Sequence, residues 1–414
     1  MTRKLLLLLP LVSLLPLVTG CRGERPAPDS VVLMLPATGQ ELQVWQDAID
    51  AFTEASKIKV TLQSQAEGDY YAKLQKLIAG GSAPDLVAVD STRFPELLAA
   101  GSLEPIDQFI RSQEELRLSD FYPWAIHSFQ SQGSTYGLPV NVRVQALACD
   151  MDSFELAMKP RPTADWNWQQ FADLAKAMTR DGENGVPVYG AALGPWWQVF
   201  VWQNGGELVD NPAAPTRSTL NTPQAIEALQ FLADLTNKQK VAAPFATTED
   251  GPANTIAAKG AALAMVDRPQ VPRLDKVQEM RFELVPLPKG KVAANLGLTT
   301  GLCLVKGSKR QAEALKLLAY LGGLDGQKQL TNAGAVVPTL EVLAGSEYFA
   351  GGDPSYPFKT ALKVARQLPT TPRYHEIEAV WAEELAPLWA GKATAAQVCP
   401  KIDERVNGIL GGGR

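Results

Sequence analysis

From residue 31 onward the chain alternates short apolar runs with amphipathic stretches, and this alternation restricts it to open α/β layers. "VVLMLP" (31–36) is an apolar run ended by proline, which suits a strand covered on both faces. In "ELQVWQDAIDAFTEAS" (41–56), Leu42, Trp45, Ile49 and Phe52 recur every three or four residues, which predicts one apolar helical face. "IKVTLQS" reads as the next strand, and "DYYAKLQKLIAGG" as a helix stopped by glycines. "APDLVAVD" and "FPELLAAG" supply a third strand and a third helix. Units of this length build a parallel sheet with right-handed crossovers.

The pattern changes near 120–140, where "YGLPVNVRVQALACD" reads as extended chain entering a second block. There "DWNWQQFADLAKAMTRDG" (165–182) predicts a helix capped by Asp165, and "TPQAIEALQFLADLTNKQ" (222–239) another. "KGAALAMVD" and "FELVPLPKG" read as strands; "TTGLCLVKGS" returns to extended chain before the helices "RQAEALKLLAYLGG" and "LDGQKQLTNAG". The C-terminal stretch is helical, with interruptions expected at Pro387 and Gly391. The 414 residues suffice for two cores, so two α/β blocks joined by more than one crossing segment are expected. Ligands of such proteins sit at carboxyl ends of strands or between lobes.

Ahead of the first strand, "MTRKLLLLLPLVSLLPLVTGC" has a positive head at Arg3 and Lys4 and an apolar run broken by Pro10 and Pro16. It is too short for a bilayer, where about 20 apolar residues are needed, and has the form of a secretory signal over 1–20. The small residues before Cys21 have the form of a bacterial lipoprotein signal, which predicts lipidation of Cys21 and a polar, proline-rich tether over 21–30. The mature chain is then expected outside the cytoplasm, anchored to a membrane by lipid. A formal charge of -5 with no dense basic run argues against nucleic acid as a partner. Cys149, Cys303 and Cys399 lack metal-ligand spacing; one disulfide and buried free thiols both remain open.

Chemistry-bearing motifs are few. His127 and His375 lie beside aromatic or apolar residues and read as structural or surface groups. No nucleophile elbow, metalloprotease, nucleotide or dinucleotide fingerprint occurs, and no acidic pair stands out as a glycosidase pair, so no enzyme, metal or cofactor is predicted. "WWQVFVWQNGGELVD" (196–210) is the informative stretch. Sugars present a C–H face to aromatic rings and a hydroxyl rim to amides and charged groups. Trp196, Trp197 and Trp202 with Gln203 and Asn204 supply both chemistries, although aromatic residues on such helices also pack cores. Phe200, Val201 and Trp202 read as the packed side, and the Trp196–Trp197 pair as the cleft-facing end.

Several blocks together resemble the extracellular solute-binding proteins of the maltose-binding type, the sugar-capturing subunits of bacterial ABC importers. They are "YYAKLQKLIAGGSAPDLVAVD", "YGLPVNVRVQALACDMDSF", "WQNGGELVD", "NTPQAIEALQFLADL", "VPLPKG", "TTGLCLVKGSKRQAEALKLLAYL" and "TPRYHEIEAVWAEELAPLWAGKATAAQ". The resemblance implies a two-lobed α/β periplasmic-binding-protein fold with an interlobe hinge. An N-terminal lobe of 31–142 plus about 295–345 and a C-terminal lobe of 143–294 plus about 346–414 are expected. It implies capture of a mono- or oligosaccharide by hinge closure and delivery to membrane permease subunits. Ligand contacts carried over are Thr38, Gly39, Asp69 and Asp90 from the first lobe, and Trp196, Trp197 and Asn204 from the second. Gly297, Arg373 and Tyr374 would contribute from late segments. Where many members carry a Gly-Pro-Trp turn, this chain has "VDRPQV", so Asp267 and Arg268 replace a stacking ring with a charge pair. That departure keeps a glycosylated polyol or glycerol phosphate ester as the alternative ligand, since phosphate recognition favours arginine. A secreted carbohydrate-active enzyme is the remaining alternative.

Overall fold

A computed structural model describes residues 29–114, 116–182, 185–278, 280–333, 336–345 and 356–412. The signal segment, Cys21 and nearly all of the tether lie outside them. Two five-stranded sheets form two lobes. The first lobe orders its strands 60–64, 31–35, 86–90, 298–304 and 137–143. The first three are parallel and 298–304 runs antiparallel to both its neighbours. The second lobe orders 282–285, 145–150, 261–267, 187–192 and 180–181.

Burial follows from the strand chemistry. All five residues of Val31–Leu35 and all seven of Ala261–Asp267 are buried, because helices cover both faces of each sheet. Leu33, Ile49, Leu138, Leu302 and Leu318 belong to the core on one face of the first sheet, with Tyr70, Phe94 and Phe129 on the other. In the second lobe, helix Pro223–Asn237 and the C-terminal helices pack around Phe171, Trp202 and Trp381. Cys149, Cys303 and Cys399 are buried free thiols, which closes the disulfide alternative among them. Among the described residues no helix is long and apolar enough to cross a membrane.

Two local expectations are corrected. Asn167, not Asp165, caps helix Trp168–Met178: its side chain accepts from the Gln170 amide in a capping box, while Asp165 pairs with Lys289. Helix Tyr374–Trp389 also runs through Pro387 and ends before Gly391, which has φ 69°. A proline in the last turn removes only one amide donor, so the helix tolerates it there.

The lobes are joined where strand 137–143 continues into strand 145–150 and where 295–298 passes back. Asn295 clamps these crossings together, accepting from the Gln145 amide at 2.9 Å and donating to the Gln145 carbonyl at 2.8 Å. Asn141 accepts from the Val337 amide at 3.0 Å on a third path. Gly297 lies in this hinge, where a Cβ would come 2.4 Å from the Trp124 ring. Gly297→Ala is therefore expected to lower stability by about 1–3 kcal/mol through overpacking, measured by denaturant unfolding; an unchanged midpoint would show that Trp124 yields freely.

Candidate functional site

The carboxyl ends of the first-lobe strands face the second lobe across a cleft of about 570 Å³. Helix Glu67–Ala79 contributes Gly68, Tyr71 and Gln75, and the turn after strand Leu86–Asp90 contributes Asp90 through Arg93. Tyr70 anchors that helix through its one hydroxyl hydrogen, shared between the Ala88 carbonyl at 2.7 Å and the Met34 carbonyl at 3.0 Å. The next residue, Tyr71, is thereby presented to the cleft. Its hydroxyl accepts from the Asp90 amide at 2.8 Å and donates to Asp90 Oδ2 at 2.9 Å. Thr300 Oγ1 donates to Asp90 Oδ1 at 2.9 Å, so the carboxylate is held from both sides. Burial, reinforced by the Asp90 charge, holds the Tyr71 phenol well above its ordinary range and keeps it a neutral donor. Arg93 stacks over the Tyr71 ring at 5.1 Å and pairs with Glu96.

The floor is charged but internally paired. Arg143, at the end of its strand, donates from Nε to Asp267 Oδ2 at 2.8 Å and also pairs with Glu249. Burial would pull the guanidinium down, but the two carboxylates outweigh it and hold it above its ordinary value.

The second lobe supplies the opposite wall. Strand Pro187–Ala192 ends at the Gly194–Pro195 turn, which delivers Trp196 and Gln198. Helix Tyr374–Trp389 presents Tyr374, His375 and Glu378; His375 Nδ1 lies 3.1 Å from Glu378. Burial first, then the Glu378 charge, raises the Tyr374 phenol well above its ordinary range. Trp196 Nε1, Gln198 Oε1 and His375 Nε2 are buried without a hydrogen-bond partner in the protein. All three belong to residues of the lining, but the atoms themselves are closed off from solvent and lie behind the cavity wall.

Of the residues singled out from sequence, the structure brings Asp90, Trp196 and Tyr374 together in this lining. Thr38 and Gly39 are exposed at the carboxyl end of the first strand, outside the lining, and Asp69 is exposed between Gly68 and Tyr71. Trp197 turns away, edge-on to Trp381 at 5.4 Å, into a neighbouring pocket. Asn204 is buried and donates to the Gln224 carbonyl and to Glu227, so it secures the end of helix Gln198–Gln203 and is not in the cleft. Gln203 and Trp202 are likewise packed; Gln203 bridges Trp168 Nε1 and the Ala294 carbonyl. Asp267 is fully buried, pairs with Arg143 and caps the turn at 268–270, outside the lining. Arg268 is half-buried in that turn, outside the lining. Gly297 lies under Trp124, and Arg373 is held by Glu376 and the Ile409 carbonyl, so neither lines the cleft.

Tyr71, Gln75, Arg93, Gln198, Glu249, His375 and Glu378 line the cleft without having been singled out for it. Tyr71 follows a tyrosine in "DYYAK", and His375 and Glu378 share a helix face with Tyr374; Glu249, in a loop, carries no local signal. His375 is a wall residue of the cavity, whereas His127 is exposed. Among the described residues no group of three or more His, Cys, Asp or Glu is placed to hold a metal.

The architecture recurs in solved structures. An ABC substrate-binding protein from Listeria monocytogenes, in complex with cycloalternan, superposes with a TM-score of 0.80 at 20% identity, covering 92% of this chain and 98% of that one. A cyclic alpha-maltosyl-1,6-maltose binding protein from Arthrobacter globiformis matches with a TM-score of 0.80 at 20% identity, over 94% of this chain and 100% of that one. By sequence, a putative binding protein of Brucella abortus is 23% identical over 347 residues, 81% of this chain and 83% of the relative. The periplasmic-binding fold is thus shared along nearly the whole chain. A family model described as bacterial extracellular solute-binding protein matches residues 37–328, most of the chain, and the chain therefore belongs to the bacterial extracellular solute-binding proteins.

Proposed function

We propose that the cleft captures a neutral carbohydrate, that the lobes close on it about the Gln145–Asn295 hinge, and that the loaded protein delivers it to an ABC-type importer. The observation that carries this reading is the cleft lining, where Trp196 and Tyr374 stand with Gln198 and Glu378 across from Tyr71, Gln75 and Asp90. An aromatic face with adjacent donors and acceptors matches a sugar ring and its hydroxyl rim. The Listeria and Arthrobacter relatives, whose names carry carbohydrate ligands, support the same class. Closure adds second-lobe contacts to those of the first, so ligand shifts the population toward the closed form. The lipid anchor at Cys21 and a place outside the cytoplasm belong to this reading.

The alternative of a phosphate ester needs unpaired arginines. Arg143 is paired with Asp267 and Glu249, and Arg93 with Glu96, so among its described lining the cleft offers no free guanidinium pair to an anion. A thermal-shift screen of mono-, di- and trisaccharides, polyols and glycerol phosphates tests the point. A ligand at a hundred times its Kd is expected to stabilise the protein by about 2.7 kcal/mol. Stabilisation by glycerol phosphates without any sugar would sink the carbohydrate assignment; conversion of an oligosaccharide to products would point to the enzyme alternative. Asp90→Ala is expected to weaken the binding sugar by roughly tenfold or more, since it removes a charged acceptor and releases Tyr71. Calorimetric titration reads this directly, and unchanged affinity would remove Asp90 from the site.

A further inference from the structure

The turn at 195–198 separates two cavities. Trp196 lines the cleft, whereas Trp197 lines a second pocket of about 500 Å³ in the second lobe. Pro195, Gln198 and Glu378 line both, so the two cavities share a wall there. Their chemistry is unlike. The cleft carries Asp90, Arg93, Arg143 and Glu249, whereas among its described lining the second pocket has Glu378 as its single charged residue. Its walls are Trp197, Pro244, Phe245, Trp381, Leu385 and Trp389. Phe245 and Trp389 stack at 4.2 Å with 14° between their planes, both half-buried, so apolar ring surface is left in contact with solvent.

We propose that this pocket takes the apolar aglycone, an aryl or alkyl group, of a glycoside whose sugar occupies the cleft. The inference rests on the carbohydrate reading of the cleft. A second sugar ring is a poor occupant, because its hydroxyls would leave water for walls that offer few partners. An apolar group gains from the same walls. The wall shared through Pro195, Gln198 and Glu378 sets the pocket directly beside the cleft, and the one ligand proposed reaches past that turn into both.

Calorimetric titration of the full mature chain with matched methyl and 4-nitrophenyl glycosides of glucose, galactose, xylose and arabinose tests this. For each sugar that binds, the 4-nitrophenyl member is expected to bind roughly 10–100-fold tighter, as burial of one aromatic ring implies. Phe245→Ala with Trp389→Ala removes that gain and leaves methyl glycoside affinity unchanged, while Trp389→Phe keeps most of it; circular dichroism melting confirms that the variants fold. Equal affinities within the pairs, or a gain that survives the double substitution, overturn the proposal while methyl glycoside binding leaves the carbohydrate reading standing. Absence of binding by either series overturns both.

Discussion

Trp197→Ala is expected to destabilise the protein by about 3–5 kcal/mol, the cost of emptying a buried tryptophan site. Trp197 is 6% exposed, belongs to the large second-lobe core and meets Trp381 edge-on. A loss of that size lowers the melting temperature by on the order of 10 °C. Affinity for an unsubstituted sugar should change much less, because the ring that lines the cleft is its neighbour Trp196. The sequence alone favours the opposite outcome, with binding lost and stability kept. Thermal unfolding beside calorimetric titration separates the two: an unmoved melting point with abolished binding would place Trp197 on the ligand.

Asp267→Ala carries a similar expected cost, about 3–5 kcal/mol, for a different reason. The carboxylate has no solvent exposure and faces Arg143, whose side chain is 23% accessible. Removing the acid leaves the guanidinium with only the more exposed Glu249 and frees the turn that Asp267 caps. A double variant, Asp267→Leu with Arg143→Met, should recover much of the loss, since a well-packed apolar pair avoids burying an unmatched charge. Urea unfolding of the single and double variants measures the coupling. Equal destabilisation by the single and double variants would show that the cap, not the ion pair, is what matters.

Much of the fold was legible because it follows from periodicity. The run Val31–Leu35 and the heptad-like spacing of Leu42, Trp45, Ile49 and Phe52 report local geometry, and local geometry sets those elements. The misplaced cap at Asp165 and the helix that continues through Pro387 show where local signals compete. Asn167 prevails because Gln170 stands three residues on and completes a reciprocal pair of bonds, leaving Asp165 outside the helix to meet Lys289.

The site divides differently. Asp90 lies at the carboxyl end of a strand whose place in the α/β order follows from the strand–helix alternation, so its position at the cleft edge could be anticipated. Its partners could not: Tyr71 reaches it from a helix 19 positions earlier, and Thr300 from 210 positions later. By itself, the sequence determined the alternation of elements, the two-block plan and the aromatic, amide-rich character of the 196–204 stretch. Tertiary structure alone decided which tryptophan of the pair lines the cleft, and that Asp267 is buried against Arg143. Consecutive side chains differ in direction only relative to neighbours that arrive from elsewhere in the chain, and a buried charge is assigned its partner by packing across the hinge, which no local pattern encodes.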